Sequence, residues 1–209
     1  SRRAKLDTAK QTADQLGLDA EEKVRRARLL EELERSMEGF AHSVKAVMKQ
    51  AERGALRGIR GPVSRLINAA PDRALAVETA LGAAAQNIVC EREEDAKRGI
   101  AFLKESNGGR ATFLPLSAVR GNLLSERGLE DEAGFVGLAS ELVQYDAAYE
   151  GVVRSLLGRT AAAGDLDYAV AIARKYGYRF RVVTLDGQVV NAGGSMTGGS
   201  SVKGAGLLS

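Results

Sequence analysis

The sequence predicts an α/β (α+β) fold: two pseudo-repeated lobes with mixed sheets and flanking helices, preceded by a long coiled-coil helix. Three observations point there. Residues 1 to about 57 carry apolar side chains at heptad spacing between charged ones. From residue 74 onward, short apolar runs alternate with segments of helical period. The order helix, strand, helix, strand then recurs, as expected of an internal duplication.

In the first segment, Leu6, Ala13, Ala20 and Ala27 form one row and Ala9, Leu16, Leu30 and Met37 another, interrupted by Lys23 and Glu34. Gly17 weakens the middle. Asp19 followed by Glu22 resembles a fresh capping box, so two helical pieces are expected, the second starting near Asp19. A narrow apolar seam on a lone helix needs a partner helix, and no second heptad segment follows. Lys45, Lys49, Arg53 and Arg57 then recur every four residues, stacking cations on one ridge of the same helix, with Arg60 and Arg65 after them. Glu52 is the only acidic residue between Ala41 and Arg65. Two readings stay open: the ridge meets an anionic partner such as a nucleic acid backbone, or it is a solvated or internally paired basic face.

Gly58-Ile59-Arg60-Gly61-Pro62 ends the helix. Beyond it, Ala74 to Ala85 reads as helix and Asn87 to Cys90 as a buried strand. Glu93 to Glu105 reads as a helix with Ala96, Ile100 and Leu103 on one face, and Ala111 to Leu116 as a strand stopped at Pro115. Residues 120 to 137 are glycine-rich and looser. Asp146 to Leu157 is a second helix of this kind, Asp165 caps the next, and Arg179 to Leu185 is a strand. The halves align: Ala80-Leu81-Gly82 with Leu156-Leu157-Gly158, Asp95-Ala96 with Tyr168-Ala169, and Arg110 to Leu114 with Arg181 to Leu185. The domains expected are an arm helix with basic junction at 1–57, lobes at 58–128 and 129–200, and a tail at 201–209.

Asp186-Gly187 is a turn signal between two apolar runs. After that hairpin comes Gly193-Gly194-Ser195-Met196-Thr197-Gly198-Gly199, whose four glycines permit φ > 0 or close approach of another backbone. One chain could cradle a phosphate there, or two chains could meet strand against strand.

Composition excludes several classes. The 209 residues are 44% hydrophobic, 5% aromatic and 27% charged, with 24 Gly and a net charge of +3. One cysteine, Cys90, and one histidine, His42, leave no internal disulfide and no Cys/His zinc site. Cys90, at the end of an apolar run, reads as a buried small hydrophobe. No apolar run is long enough to span a membrane and no signal peptide is visible, so a cytoplasmic location is expected. There is no P-loop, no dinucleotide fingerprint and no nucleophile elbow. Acidic clusters at Glu91, Glu93, Glu94 and Asp95 and at Glu130 to Glu132 read as solvated helix starts or loops. No catalytic residue, cofactor or metal ligand is expected.

Together, the arm, basic junction, two-lobed body and glycine-rich end resemble the hinge domain of the structural maintenance of chromosomes family, especially its bacterial branch. The resemblance covers about 37 to 200. It is carried by Met37-Glu38-Gly39-Phe40 with Ser43 to Val47, Gly58 to Val63, Ala74 to Gly82, Gly109 to Leu116, and Val182 to Gly187 with Gly193 to Gly199. It implies a non-enzymatic homodimerisation hinge of a chromosome-organising, nucleoid-associated ATPase, whose ATP-binding head lies outside this sequence. It also implies that lobe edges of two copies join strand to strand, with Gly193, Gly194, Ser195, Met196, Thr197, Gly198 and Gly199 at the contact. The arm would be the ascending half of a coiled coil whose descending partner begins after Gly199, with Ser200 to Ser209 too short to supply it. Weak DNA binding, preferring single strands, is implied near the coil junction, where Lys45, Lys49, Arg53, Arg57 and Arg60 lie. The alternative is a nucleotide- or small-molecule-binding α/β domain that uses the Gly193 to Gly199 loop.

Overall fold

A computed structural model describes residues 1–200 and Leu208. The tail expected at 201–209 therefore lies almost wholly outside the described residues. The chain divides into two compact units, Ser1–Phe40 and Ala41–Ser209.

The first unit is one helix, α1 (Arg2–Ser36), 35 residues long. The expected break near Asp19 is absent. Gly17 sits in open space with helical neighbours, and Asp19 accepts a hydrogen bond from Gln15 Nε2 at 3.1 Å instead of capping a new start. A glycine inside a helix costs only about 1 kcal/mol, which the flanking turns sustain. No residue of α1 is buried, and Leu6, Leu16, Leu18, Val24 and Leu29 are all exposed. The helical reading also ran too far. The backbone leaves the helix after Ser36, turns at Gly39 with φ of 87°, and resumes as α2 (His42–Glu52), which buries Ser43, Val44 and Val47.

In the second unit, lobe 1 comprises β1 (Ile59–Pro62), the single turn α3 (Val63–Leu66), β2 (Ile67–Ala69), α4 (Ala74–Leu81), β3 (Ile88–Cys90), α5 (Glu93–Glu105) and β4 (Phe113–Pro115). Lobe 2 comprises β5 (Phe135–Leu138), β6 (Val143–Tyr145), α6 (Glu150–Leu157), β7 (Thr160–Ala163), α7 (Leu166–Lys175), β8 (Arg181–Thr184), β9 (Val189–Val190) and β10 (Met196–Thr197). Both lobes use a mixed sheet. Lobe 1 has the order β1-β3-β4 and lobe 2 the order β10-β9-β8-β7-β5. In each, an antiparallel pair (β1/β3, β5/β7) adjoins a parallel one (β3/β4, β7/β8). The short antiparallel pair β2/β6 joins the lobes.

That pairing is centred on Asn68 opposite Gln144, with Ile67 opposite Tyr145 and Ala69 opposite Val143. The central partners are 76 residues apart, the same offset that relates Gly61 to Gly137 at the two bulged strands and Ala80 to Leu156. Equivalent strands thus pair about their own midpoint, so the chain carries an internal twofold axis. One detail of the expected repeat is corrected. Val89 pairs with Leu114 in lobe 1, and its counterpart Ala162 pairs with Val183 in lobe 2. Leu114 therefore matches Val183, a slip of two residues from the alignment on sequence. Slipping a strand by two keeps every side chain on its face, so apolar pattern alone cannot detect it.

One core is common to both lobes. It contains Ile67, Val77 and Val89 of lobe 1 with Ala139, Val153 and Val183 of lobe 2. A second core, with Ile172, Tyr176 and Phe180, lies on the α7 side of the lobe 2 sheet. Arg181 ties the lobes further. Its Nη2 donates to Ala80 O at 2.5 Å and to Thr160 Oγ1 at 3.2 Å, and burial lowers its affinity for its proton.

The connection between lobes lies against α6. A Cβ on Gly121 would stand 2.1 Å from Ser155 N, one on Gly151 2.6 Å from Val119 O, and one on Gly158 2.6 Å from Asn122 O. Gly151, Ser155 and Gly158 share one helix face, and their small size lets an extended chain run along it.

Candidate subunit interface and basic face

The hairpin β8–β9 turns at Asp186-Gly187 with φ of 85° at Gly187, as the turn signal requires. Thr184 Oγ1 hydrogen-bonds Asp186 and accepts from Gln188 N at 2.9 Å, so the turn is held from inside. The glycine-rich segment then folds back as β10 on β9. Its glycines have local reasons. Gly193, Gly194 and Gly199 have φ of 88°, 103° and 134°. Gly198 lies under Gln188, whose Oε1 a Cβ would approach to 2.0 Å. The same amide accepts from Gly199 N at 2.8 Å and donates to Gly199 O at 3.0 Å.

These bonds disfavour a phosphate cradle, which needs free N–H groups converging on one point. Gly193 N donates to Tyr178 O, Gly194 N to Asn191 O, and Gly199 N to Gln188. Three of the four glycine donors are thus already used, and the ligand-loop alternative finds no support. What remains is an edge: β10 is the outer strand of its sheet among the described residues, and Met196 on it is 56% exposed. In lobe 1, β4 is likewise an outer strand. Its counterpart β8 is covered by β9, so lobe 1 lacks the hairpin that closes lobe 2.

The basic residues do not form the single ridge expected. Lys45 and Lys49 lie half-buried on α2, and Arg53 is its exposed C-cap. The helix stops at Glu52, so Arg57 sits in the loop beyond it and four-residue spacing no longer aligns it with the others. Gly54 and Gly58, with φ of 79° and 73°, turn the chain there. Arg60 is on β1, paired with Glu91 at 3.1 Å. Tyr149 of lobe 2, which hydrogen-bonds Arg60, and Glu91 hold its guanidinium above its ordinary range.

In the acidic clusters, Glu93, Glu94, Glu130 and Asp131 are exposed, as expected of a solvated helix start and loop, while Asp95 and Glu132 are structural. Asp95, expected at a solvated helix start, is 8% exposed; it accepts from Arg92 N and from Arg98 Nη1, each at 3.0 Å, and so anchors the start of α5. Glu132 pairs with Lys175 and raises that ammonium above its usual range, while Glu126 pairs with Arg179 at 2.6 Å. Cys90 is fully buried on β3. Burial, with the charge of Asp95, pushes its thiol up to about 11, so it stays protonated at neutral pH. No helix among the described residues is long and apolar enough to cross a membrane.

Residues 56–173 match the flexible hinge domain of SMC proteins. The chain is 46% identical over 178 residues to the chromosome partition protein Smc of Bacillus subtilis, and 39% identical over 198 residues to that of Desulfitobacterium hafniense. These alignments cover 84% and 93% of this chain but only 15% and 16% of those relatives. Among solved structures, it resembles the SMC hinge domain of Geobacillus stearothermophilus, an asymmetric dimer, with 43% identity and a TM-score of 0.77 over 87% of this chain and 74% of that one. The Pyrococcus furiosus SMC hinge domain follows with 30% identity and a TM-score of 0.64, over 84% and 88%. Both solved structures are hinge domains and not ATPase heads.

Proposed function

Because the chain belongs to the family of SMC flexible hinge domains, we propose that it is the homodimerisation hinge of a nucleoid-associated, chromosome-partitioning ATPase, joining two coiled-coil arms. The observation that carries this reading is the pair of unclosed sheet edges, β10 in lobe 2 and β4 in lobe 1. A twofold assembly needs self-complementary patches, and one chain with two such edges can close a ring with a second copy through two equal contacts. The exposed seam of α1 fits a coiled-coil arm, and ATP binding belongs to the head of the whole protein. The segment Gly193 to Gly199 carries the outer strand of one contact.

Light scattering of the intact 22.1 kDa chain across a range of concentrations tests this. The expected mass is twice that of the chain; a monomer at every concentration overturns the proposal.

The second part of the reading is weak binding of DNA, single strands preferred, on α2 and the loop after it. Lys45, Lys49, Arg53 and Arg57 supply the charge, with Arg60 contributing less because Glu91 already pairs with it. For a single strand, each phosphate contact adds about 0.7 to the slope of log affinity on log salt. The double variant Lys49→Glu/Arg53→Glu is expected to flatten that slope by about 1.4 and weaken binding. An unchanged slope and affinity would place DNA elsewhere.

A further inference from the structure

We propose that the two open edges are keyed to one register: Met196 of a second copy pairs opposite Phe113 and its side chain enters the groove formed by Ile100, Leu103 and Ala111. The proposal rests on the dimer reading above and adds which residues meet.

The backbone sets the register. In β4, Thr112 O accepts from Ile88 N and Leu116 N donates to Cys90 O, each at 2.8 Å. Alternation along a strand then turns residues 112, 114 and 116 toward β3. The outer edge presents Phe113 N–H and C=O and Pro115 C=O. Pro115 has no N–H, so a partner strand shifted to sit opposite it forfeits one bond. In β10, Asn191 N donates to Ser195 O at 2.7 Å, and Thr197 faces Val189 of β9. Residues 195 and 197 therefore bond inward, and Met196 presents both N–H and C=O to the outside. Each edge thus offers one residue able to exchange both bonds, Phe113 on one and Met196 on the other.

The side chains agree with that pairing. Residues directly opposite across a ladder project from the same face. The Phe113 ring lies on α5, where a Cβ on Gly99 would approach it to 2.5 Å. Met196 opposite Phe113 would therefore project on the α5 side of the sheet. There Ile100 stands 54% exposed, although its spacing with Ala96 and Leu103 predicted a buried face, and it borders a shallow groove with Leu103 and Ala111. Met196 and Ile100, two large exposed apolar side chains, would each find a partner in the other, and an unbranched thioether suits an irregular groove. A shift of one residue would send Met196 to the opposite face, on the side of Thr112.

The full chain carrying Met196→Cys with Ile100→Cys, treated with a short bismaleimide, tests the register. The comparison variant carries Met196→Cys with Thr112→Cys. Native Cys90 is fully buried and contributes no background. The expected result is a covalent dimer on a denaturing gel for the Ile100 pair, and none for the Thr112 pair or for any single variant. Light scattering of the same samples separates the two ideas. A noncovalent dimer with no cross-link, or with equal cross-linking at Thr112, overturns the register and leaves the dimer standing; a monomer overturns both.

Discussion

Gly121→Ala is expected to lower the unfolding free energy by about 3 kcal/mol or more, the upper range for overpacking. The new methyl group would stand 2.1 Å from Ser155 N and 2.4 Å from Arg154 C and Ser155 Cα. These are backbone atoms of α6, so no rotamer change relieves the clash. Either the helix shifts or the linker lifts away. Both would disturb α6, whose Val152, Val153 and Leu157 belong to the core common to the lobes. Lifting the linker would also strain the bond from Leu124 N to Gly158 O, 2.9 Å long. Urea unfolding followed by circular dichroism measures the effect as a lower midpoint with an unchanged slope. An unchanged midpoint would mean that the linker does not lie on α6 in solution.

The second large effect is at Gly58, with Gly134 as its internal comparison. The two glycines are 76 residues apart and have φ of 73° and 77°, so alanine at either costs about 1–2 kcal/mol in backbone strain. Their ceilings differ. Above Gly58 lies the Asp95 carboxylate, 2.2 Å from the position of a new Cβ, with 8% exposure and with bonds to Arg92 N and Arg98. Displacing it would uncap α5 and bury a poorly paired charge, adding about 1–3 kcal/mol. Above Gly134 lies Tyr168, which is 44% exposed, but its Cγ and Cβ would stand 2.1 and 2.5 Å from the new methyl group, and turning the ring does not move Cβ. Both substitutions should therefore lower the midpoint in the same urea experiment, Gly58→Ala by displacing the capping carboxylate and Gly134→Ala by forcing the start of α7 to shift. An unchanged midpoint for Gly58→Ala would show that Asp95 moves aside without cost.

Much of this architecture was legible in the chain because strong local signals marked it. Asp165 caps α7 by accepting from Tyr168 N at 2.9 Å, Asp186-Gly187 turns the hairpin, and α4 follows its apolar period, whereas α5 buries Ala96 and Leu103 but leaves Ile100 exposed. The repeat was visible in Asp95-Ala96 and Tyr168-Ala169. The strands β1, β2, β5, β6 and β7 were not. They are three or four residues long, and Thr160-Ala161-Ala162-Ala163 has none of the branched or aromatic residues that strands favour. Burial between two cores, not propensity, makes it a strand. A signal was nonetheless present: Gly61, Ser64 and Leu66 recur as Gly137, Ser140 and Leu142 at the repeat offset.

The glycine-rich segment was legible in outline, but the local reasons for its glycines were not. The glycines from 193 to 199 stood out as a place where backbones come close. Gly198 lies under Gln188 of the same chain, so Gly198→Asp would displace that side chain and its bonds to Gly199 whether or not a second copy lies nearby. Met196, named among the contact residues from the sequence, is the large apolar side chain of that segment and is 56% exposed. Arg57 fell off the basic ridge because two glycines with positive φ turn the backbone just where a continued helix would have carried it.

Mechanically, a core common to both lobes makes the body one stiff piece and not a clasp. Close-packed interiors transmit strain and part only cooperatively. Ile67 and Val77 press on the same interior as Val153 and Val183, so a load that tried to spread the lobes would meet that interior before anything yielded. In a ring of two such bodies, compliance would reside at the short strand contacts between copies, and opening the ring would leave each body intact.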